Sequence, residues 1–174
     1  MDQLRGVLCL SDPLRAGARG RNIERMLRSA DDVGRRLLSV AFPEVEKCLP
    51  HAQAALWELR QRCSWVCVAA ERGCAGVAMA LAEQLPVDRV ALLGGTPFAP
   101  LPEGGTPSRR RELKRLDAFA RRNLALLVAE LLLIGVSEDE IRRLMSGLGR
   151  NVPVRIGGRA DWGSFVEAWE DNGK

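Results

Sequence analysis

The sequence has no tyrosine and one histidine, His51, and aromatic residues make up only 5% of its 174 positions. With so few rings, the interior must be filled by Leu, Val, Ala and Ile. A hydrophobic content of 47% suits one domain spanning 1–174 with a sizeable core. No apolar run approaches the roughly 20 residues that cross a bilayer. The N-terminus lacks an apolar segment followed by a cleavage site. A cytoplasmic protein that does not engage membranes is expected. One histidine and the absence of any Cys-x-x-Cys pair argue against a zinc site, and no metal or other cofactor is expected. The five cysteines are odd in number. Cys9 and Cys67 sit in strand-like apolar runs, which reads as small buried hydrophobes in a reducing compartment.

What is present in excess is arginine. The net charge of +4 comes mainly from residues 15–36 and from SRRRELKR at 108–115. Acidic residues are interspersed and no aromatics alternate with the basic ones to stack bases. Solvated helix faces are therefore expected, and no nucleic-acid partner.

Strand and helix signals alternate along the chain, the pattern of an α/β fold with a parallel sheet. RGVLCL at 5–10 is the first strand. A polar, Gly-containing loop follows, then a helix with Ile23, Met26, Leu27 and Ala30 at helical spacing. LLSVAF at 37–42 is the second strand, ended by Pro43, and residues 51–63 form a helix with Ala52, Ala55, Leu56 and Leu59 on one face. WVCVAA is the third strand, leading into a helix at 74–85 that Pro86 stops. RVALLGG at 89–95 is the fourth, continuously apolar as a central strand should be.

A Pro- and Gly-rich loop then breaks the alternation. A long helix is expected after an N-cap at Ser108, with Leu113, Leu116, Ala120, Leu124, Leu127, Leu131 and Ile134 in one stripe. Leu126, Val128, Leu132 and Leu133 widen that stripe in its second half. Gly135 would end the helix, and Ser137 with Glu140 forms a capping box for a short helix carrying Ile141, Leu144, Met145 and Leu148. The stretch 108–148 thus reads as a helical hairpin inserted between the fourth and fifth strands. VPVRIGG at 152–158 is the fifth strand, and Trp162, Phe165, Val166 and Trp169 mark a last helix.

The stretch WVCVAAERGCAGVAMALA at 65–82 has the form of a strand, a tight small-residue turn and an Ala-rich helix. Together with the order of the other strands it resembles the α/β-hydrolase superfamily, whose nucleophile stands at such an elbow. The resemblance implies a three-layer sandwich with a five-stranded parallel sheet in the order 2-1-3-4-5, and a lid where the hairpin lies. It aligns Ala70-Glu71-Arg72-Gly73-Cys74 on the elbow and Gly158-Arg159-Ala160-Asp161 on the strand end that supplies the triad acid. The departures are as informative. Arg72 occupies the nucleophile position and, being always protonated, cannot attack. Ser11-Asp12-Pro13 replaces the family's oxyanion loop, the family's leading antiparallel strands are not seen, and nothing after His51 can serve as the catalytic histidine. The chain resembles a truncated, degenerate member.

Two uses of the elbow stay open. Arg72 at a helix N-terminus calls for an anion: Glu71 beside it, Asp161, or a small anionic ligand held by Arg72 and the N–H groups of Gly73 and Cys74, with Ser11 or Arg15. Alternatively the elbow slides two residues, and Cys74 becomes a nucleophile in a Gly-x-Cys-x-Gly turn similar to that of dienelactone hydrolases. The favoured function is a non-catalytic binding or interaction module. The alternative is a small esterase or thioesterase using Cys74 or completed by a partner subunit. A homodimer through the Leu-rich helix or the last strand is a further expectation.

Overall fold

The computed structural model describes residues 5–10, 14, 35–40 (backbone alone), 42, 47–149 and 151–158. In it the apolar runs form one sheet of six strands: β1 (Arg5–Leu10), β2 (Arg35–Val40), β3 (Trp65–Glu71), β4 (Val87–Leu93), β5 (Val128–Ile134) and β6 (Val154–Gly157). The order is β2-β1-β3-β4-β5-β6, and every neighbouring pair is parallel. Parallel neighbours need long crossovers. Among the described residues four helices lie in these crossovers: α1 (Cys48–Arg60), α2 (Ala75–Gln84), α3 (Pro107–Arg122) and α4 (Glu138–Gly147).

The period-2 pleat sorts each strand's residues onto two faces. Leu8, Leu10, Val66, Val68, Ala70, Val90, Leu92, Leu131 and Leu133 face a core shared with Leu56 of α1, Met79 of α2, Leu113 of α3 and Leu144 of α4. Val7, Cys9, Cys67, Ala69, Ala91, Leu93, Leu132 and Ile134 form a separate cluster on the opposite face. Both faces are buried, which is why these strands are continuous apolar runs and not alternating ones. The helices expected around residues 23–30 and 162–169 fall outside the described residues, and with them the layer expected of them on the second face.

The α/β class, the parallel sheet and the strand order from the second to the fourth strand stand as expected. The helical hairpin does not. The long helix ends at Arg122, and its second half is the strand β5. Leu-rich sequence satisfies both periodicities, so spacing alone could not decide. The deciding feature is that Leu131, Leu132, Leu133 and Ile134 are buried in succession on alternating faces. A helix would turn one of every few to solvent. VPVRIGG therefore supplies the sixth strand, beside β5, and Gly135, with φ of 64°, makes the turn after β5 and not a helix end.

Two caps differ in outcome. Thr106, not Ser108, caps α3: its Oγ1 accepts from the Arg109 N–H at 3.2 Å, with Pro107 opening the helix. At α4 the Ser137–Glu140 capping box is present as expected.

Candidate functional site at the strand–helix elbow

The elbow forms where the sequence places it. β3 runs to Glu71, Arg72–Cys74 make a single 3-10 turn, and α2 starts at Ala75. The turn is unstrained: among the described residues no non-glycine residue has positive φ. A nucleophile elbow works by strain that thrusts its central side chain outward. Here the side chain at the tip turns inward.

Arg72 is 8% exposed. Its Nη2 donates to Asp117 Oδ2 of α3 at 3.0 Å and to the carbonyl of Ala99 in the loop after β4. Its Nε and Nη1 are buried without a hydrogen-bond partner. Two glycines make this placement fit. A Cβ on Gly95 would stand 2.5 Å from Arg72 Cδ, so the residue after the β4 turn must be bare for the arginine stem to pass. A Cβ on Gly76 would meet Asp117 Oδ1 at 2.4 Å and the Asp117 backbone nitrogen at 2.8 Å, so α2 and α3 can approach only at a glycine.

Asp117 is the partner of Arg72 that sequence reasoning missed. It sits on the same face of α3 as the buried Leu113, Leu116 and Ala120. A carboxylate within an apolar stripe is a signal that a buried cation faces it. Burial pushes its carboxyl up to about 6, from an ordinary 3.8, although Arg72, Arg121 and the Gly76 N–H all pull the other way. Desolvation thus outweighs the pairing. Glu140 ties the neighbouring loop to α4, accepting from Thr96 N at 2.8 Å and Thr96 Oγ1 at 3.0 Å besides its capping bonds to Ser137. Burial raises its carboxyl, but these donors outweigh it and hold it below its ordinary value.

The other expected site residues are dispersed. Gly73 and Cys74 are buried in the 3-10 turn, with the Cys74 side chain in the main core. Ser11, Arg15 and Asp161 lie outside the described residues. The strand that leads to Asp161, β6, stands three strands from β3, about 14 Å away at the usual strand spacing. His51 is half-buried on α1, its ring edge-on to Phe42 with centroids 6.1 Å apart. All five cysteines are buried thiols. Burial pushes Cys48 and Cys67 up to about 12, which keeps them protonated and unreactive. Among the described residues no group of three His, Cys, Asp or Glu side chains could hold a metal ion. No described helix is long and apolar enough to cross a membrane.

A parallel sheet in this order, with an elbow between its third strand and the following helix, is an α/β fold like that of α/β-hydrolase proteins. Solved structures agree. A Paleococcus ferrophilus monoacylglycerol lipase superposes with a TM-score of 0.59 at 13% identity, covering 97% of this chain and 92% of the lipase. The esterase domain of a Rhodothermus marinus protein gives 0.59 and 13%, over 97% and 87% of the two chains. ClbQ, from the colibactin NRPS/PKS pathway, gives 0.51 and 14%, over 97% and 93%. At such identities the likeness is one of fold. No protein-family model matches the chain, and no curated protein matches its sequence.

Proposed function

We propose that this chain is a degenerate α/β-hydrolase-fold protein without a working triad, a non-catalytic binding module for a small anionic ligand. The observation that carries this reading is the elbow tip, where a buried arginine is drawn inward by Asp117 and Ala99 in place of an exposed attacking group. A guanidinium neither attacks a carbonyl nor accepts a proton. The two unpartnered guanidinium nitrogens support an anion as the ligand. The full chain should release no p-nitrophenol from p-nitrophenyl acetate or butyrate above the buffer rate, and Cys74→Ala should leave that baseline unchanged.

A second reading, a small esterase or thioesterase using Cys74, is favoured by the activities of the lipase and esterase fold neighbours. Against it stands the complete burial of Cys74. Turnover abolished by Cys74→Ala would select this reading over the first.

A further inference from the structure

Arg72 is under-used for a buried cation. One of its three nitrogens carries both hydrogen bonds, to Asp117 and Ala99, while Nε and Nη1 are buried and idle. Buried polar groups are paired almost without exception, and an unpaired charged donor in a low-dielectric interior is expensive. The partner it has is poorly matched as well. The Asp117 side chain is 5% exposed, and it comes from a helix locked against Gly76, so it cannot advance to cover the remaining donors. The loop over the guanidinium, Phe98 and Ala99, is only half-buried, and Pro100 next to it is exposed.

Building on the binding reading above, we infer that the ligand is a small aliphatic carboxylate that takes the Arg72 guanidinium from Asp117, entering past the Phe98–Ala99 loop. A ligand carboxylate is chemically what Asp117 already offers. Being free of α3, it can also reach Nε or Nη1. The surroundings select its size and charge: the guanidinium is buried, so only a small group can reach it, and no second buried cation among the described residues contacts the pair. Asp117, once displaced, keeps the Gly76 N–H as a partner for its carboxyl.

The exchange has a proton balance. Two carboxylates beside one guanidinium would leave a net negative charge in an apolar interior, so Asp117 takes up one proton from solvent for each carboxylate bound. The described charged groups that act on Asp117 are Arg72 from the elbow and Arg121 from its own helix. Neither titrates near neutrality. Because the Asp117 carboxyl already loses its proton only near pH 6, the uptake occurs in an accessible range. Binding should weaken about tenfold per pH unit above 6, where Asp117 must take up a proton for each carboxylate bound.

The test is titration of the full chain with sodium propionate by calorimetry from pH 5 to 8, in buffers of different ionisation enthalpy. The expected result is an uptake approaching one proton per propionate at pH 7–8 and little at pH 5. Asp117→Asn should bind propionate with no pH dependence, and Arg72→Lys, checked by circular dichroism to be folded, should lose most of the affinity. Propionate binding without proton uptake, or with the same slope in Asp117→Asn, overturns the exchange while leaving a binding module standing. Failure of the wild type and of Asp117→Asn to bind propionate at any pH overturns the carboxylate site. Ester turnover by the same samples is scored separately, since it tests catalytic silence and not the ligand.

Discussion

Of the three arginines buried among the described residues, Arg72, Arg89 and Arg109, the first two are held in opposite ways. Arg89 on β4, 1% exposed, points Nε and Nη2 at Glu130 Oε2 of β5, at 3.2 and 2.7 Å. Its guanidinium also lies 5.5 Å from the centroid of the Trp65 ring. Parallel register places Cys67, Arg89 and Glu130 side by side in one row of the sheet. Arg72 at the elbow has one nitrogen engaged and two idle. The carboxylates differ too: the Glu130 side chain keeps 21% of its surface in solvent, whereas Asp117 keeps 5%. A pair that retains some hydration and a cation–π face serves the fold. A pair sealed in and half-satisfied leaves buried donors without an acceptor, which is what the proposed anion would supply.

The contrast can be broken most forcefully at Glu130. Glu130→Ala would take away the carboxylate that accepts from Nε and Nη2 of the buried Arg89, and removing one partner of such a pair typically costs about 3–5 kcal/mol. Urea unfolding should show a loss near the lower end, because Trp65 still faces the cation. Gly76→Ala comes next. Alanine would gain about 1 kcal/mol of helix propensity, but its Cβ meets the Asp117 backbone nitrogen at 2.8 Å and Cα at 3.0 Å. Backbone atoms cannot swing aside, so overpacking of the order of 1–3 kcal/mol should win. A net loss of about 1–2 kcal/mol by the same measurement is expected. A stabilised Gly76→Ala protein would mean that α2 and α3 are not in close contact and that Asp117 is not delivered to Arg72 in this way.

How legible these regions were from sequence differs for physical reasons. β1, β3, β4 and the elbow were readable because apolar runs bounded by Gly, Pro and polar turns have one sensible interpretation when helices separate them. The stretch 124–134 was not, since apolar residues at every position but Glu130 fit a helix stripe and a doubly buried strand equally well. The signal lay in the widening of the stripe at Leu126, Val128, Leu132 and Leu133: apolar residues on all sides of what would be a surface helix are better explained by a strand covered on both faces. At the site, the need of Arg72 for an anion was readable from its place at a helix start. The anion's identity was not, because Asp117 lies 45 residues away and one turn off any motif. Only its position between Leu113 and Ala120 marked it.

The smallest effect is also the most specific to the elbow pair. Asp117 has a folded-state value of about 6 against an ordinary 3.8, so the native state binds a proton more tightly than the unfolded chain. Stability must therefore rise as pH falls through 6 and level off near 3.8, the reverse of a salt-bridged acid. Between pH 7 and pH 5 the gain should be about 1 kcal/mol, seen as a higher urea midpoint at pH 5. Glu140 works in the other direction. Its depressed value contributes stability above its ordinary 4.5 that is lost as pH drops below it, so it stays ionised over the 7-to-5 interval and does not mask Asp117. In Asp117→Asn the gain should vanish while the loss below pH 4.5 persists. The same slope in wild type and variant would show that the carboxyl titrating near 6 is not the one against Arg72, and the elbow pair would then be no less satisfied than its counterpart on β4.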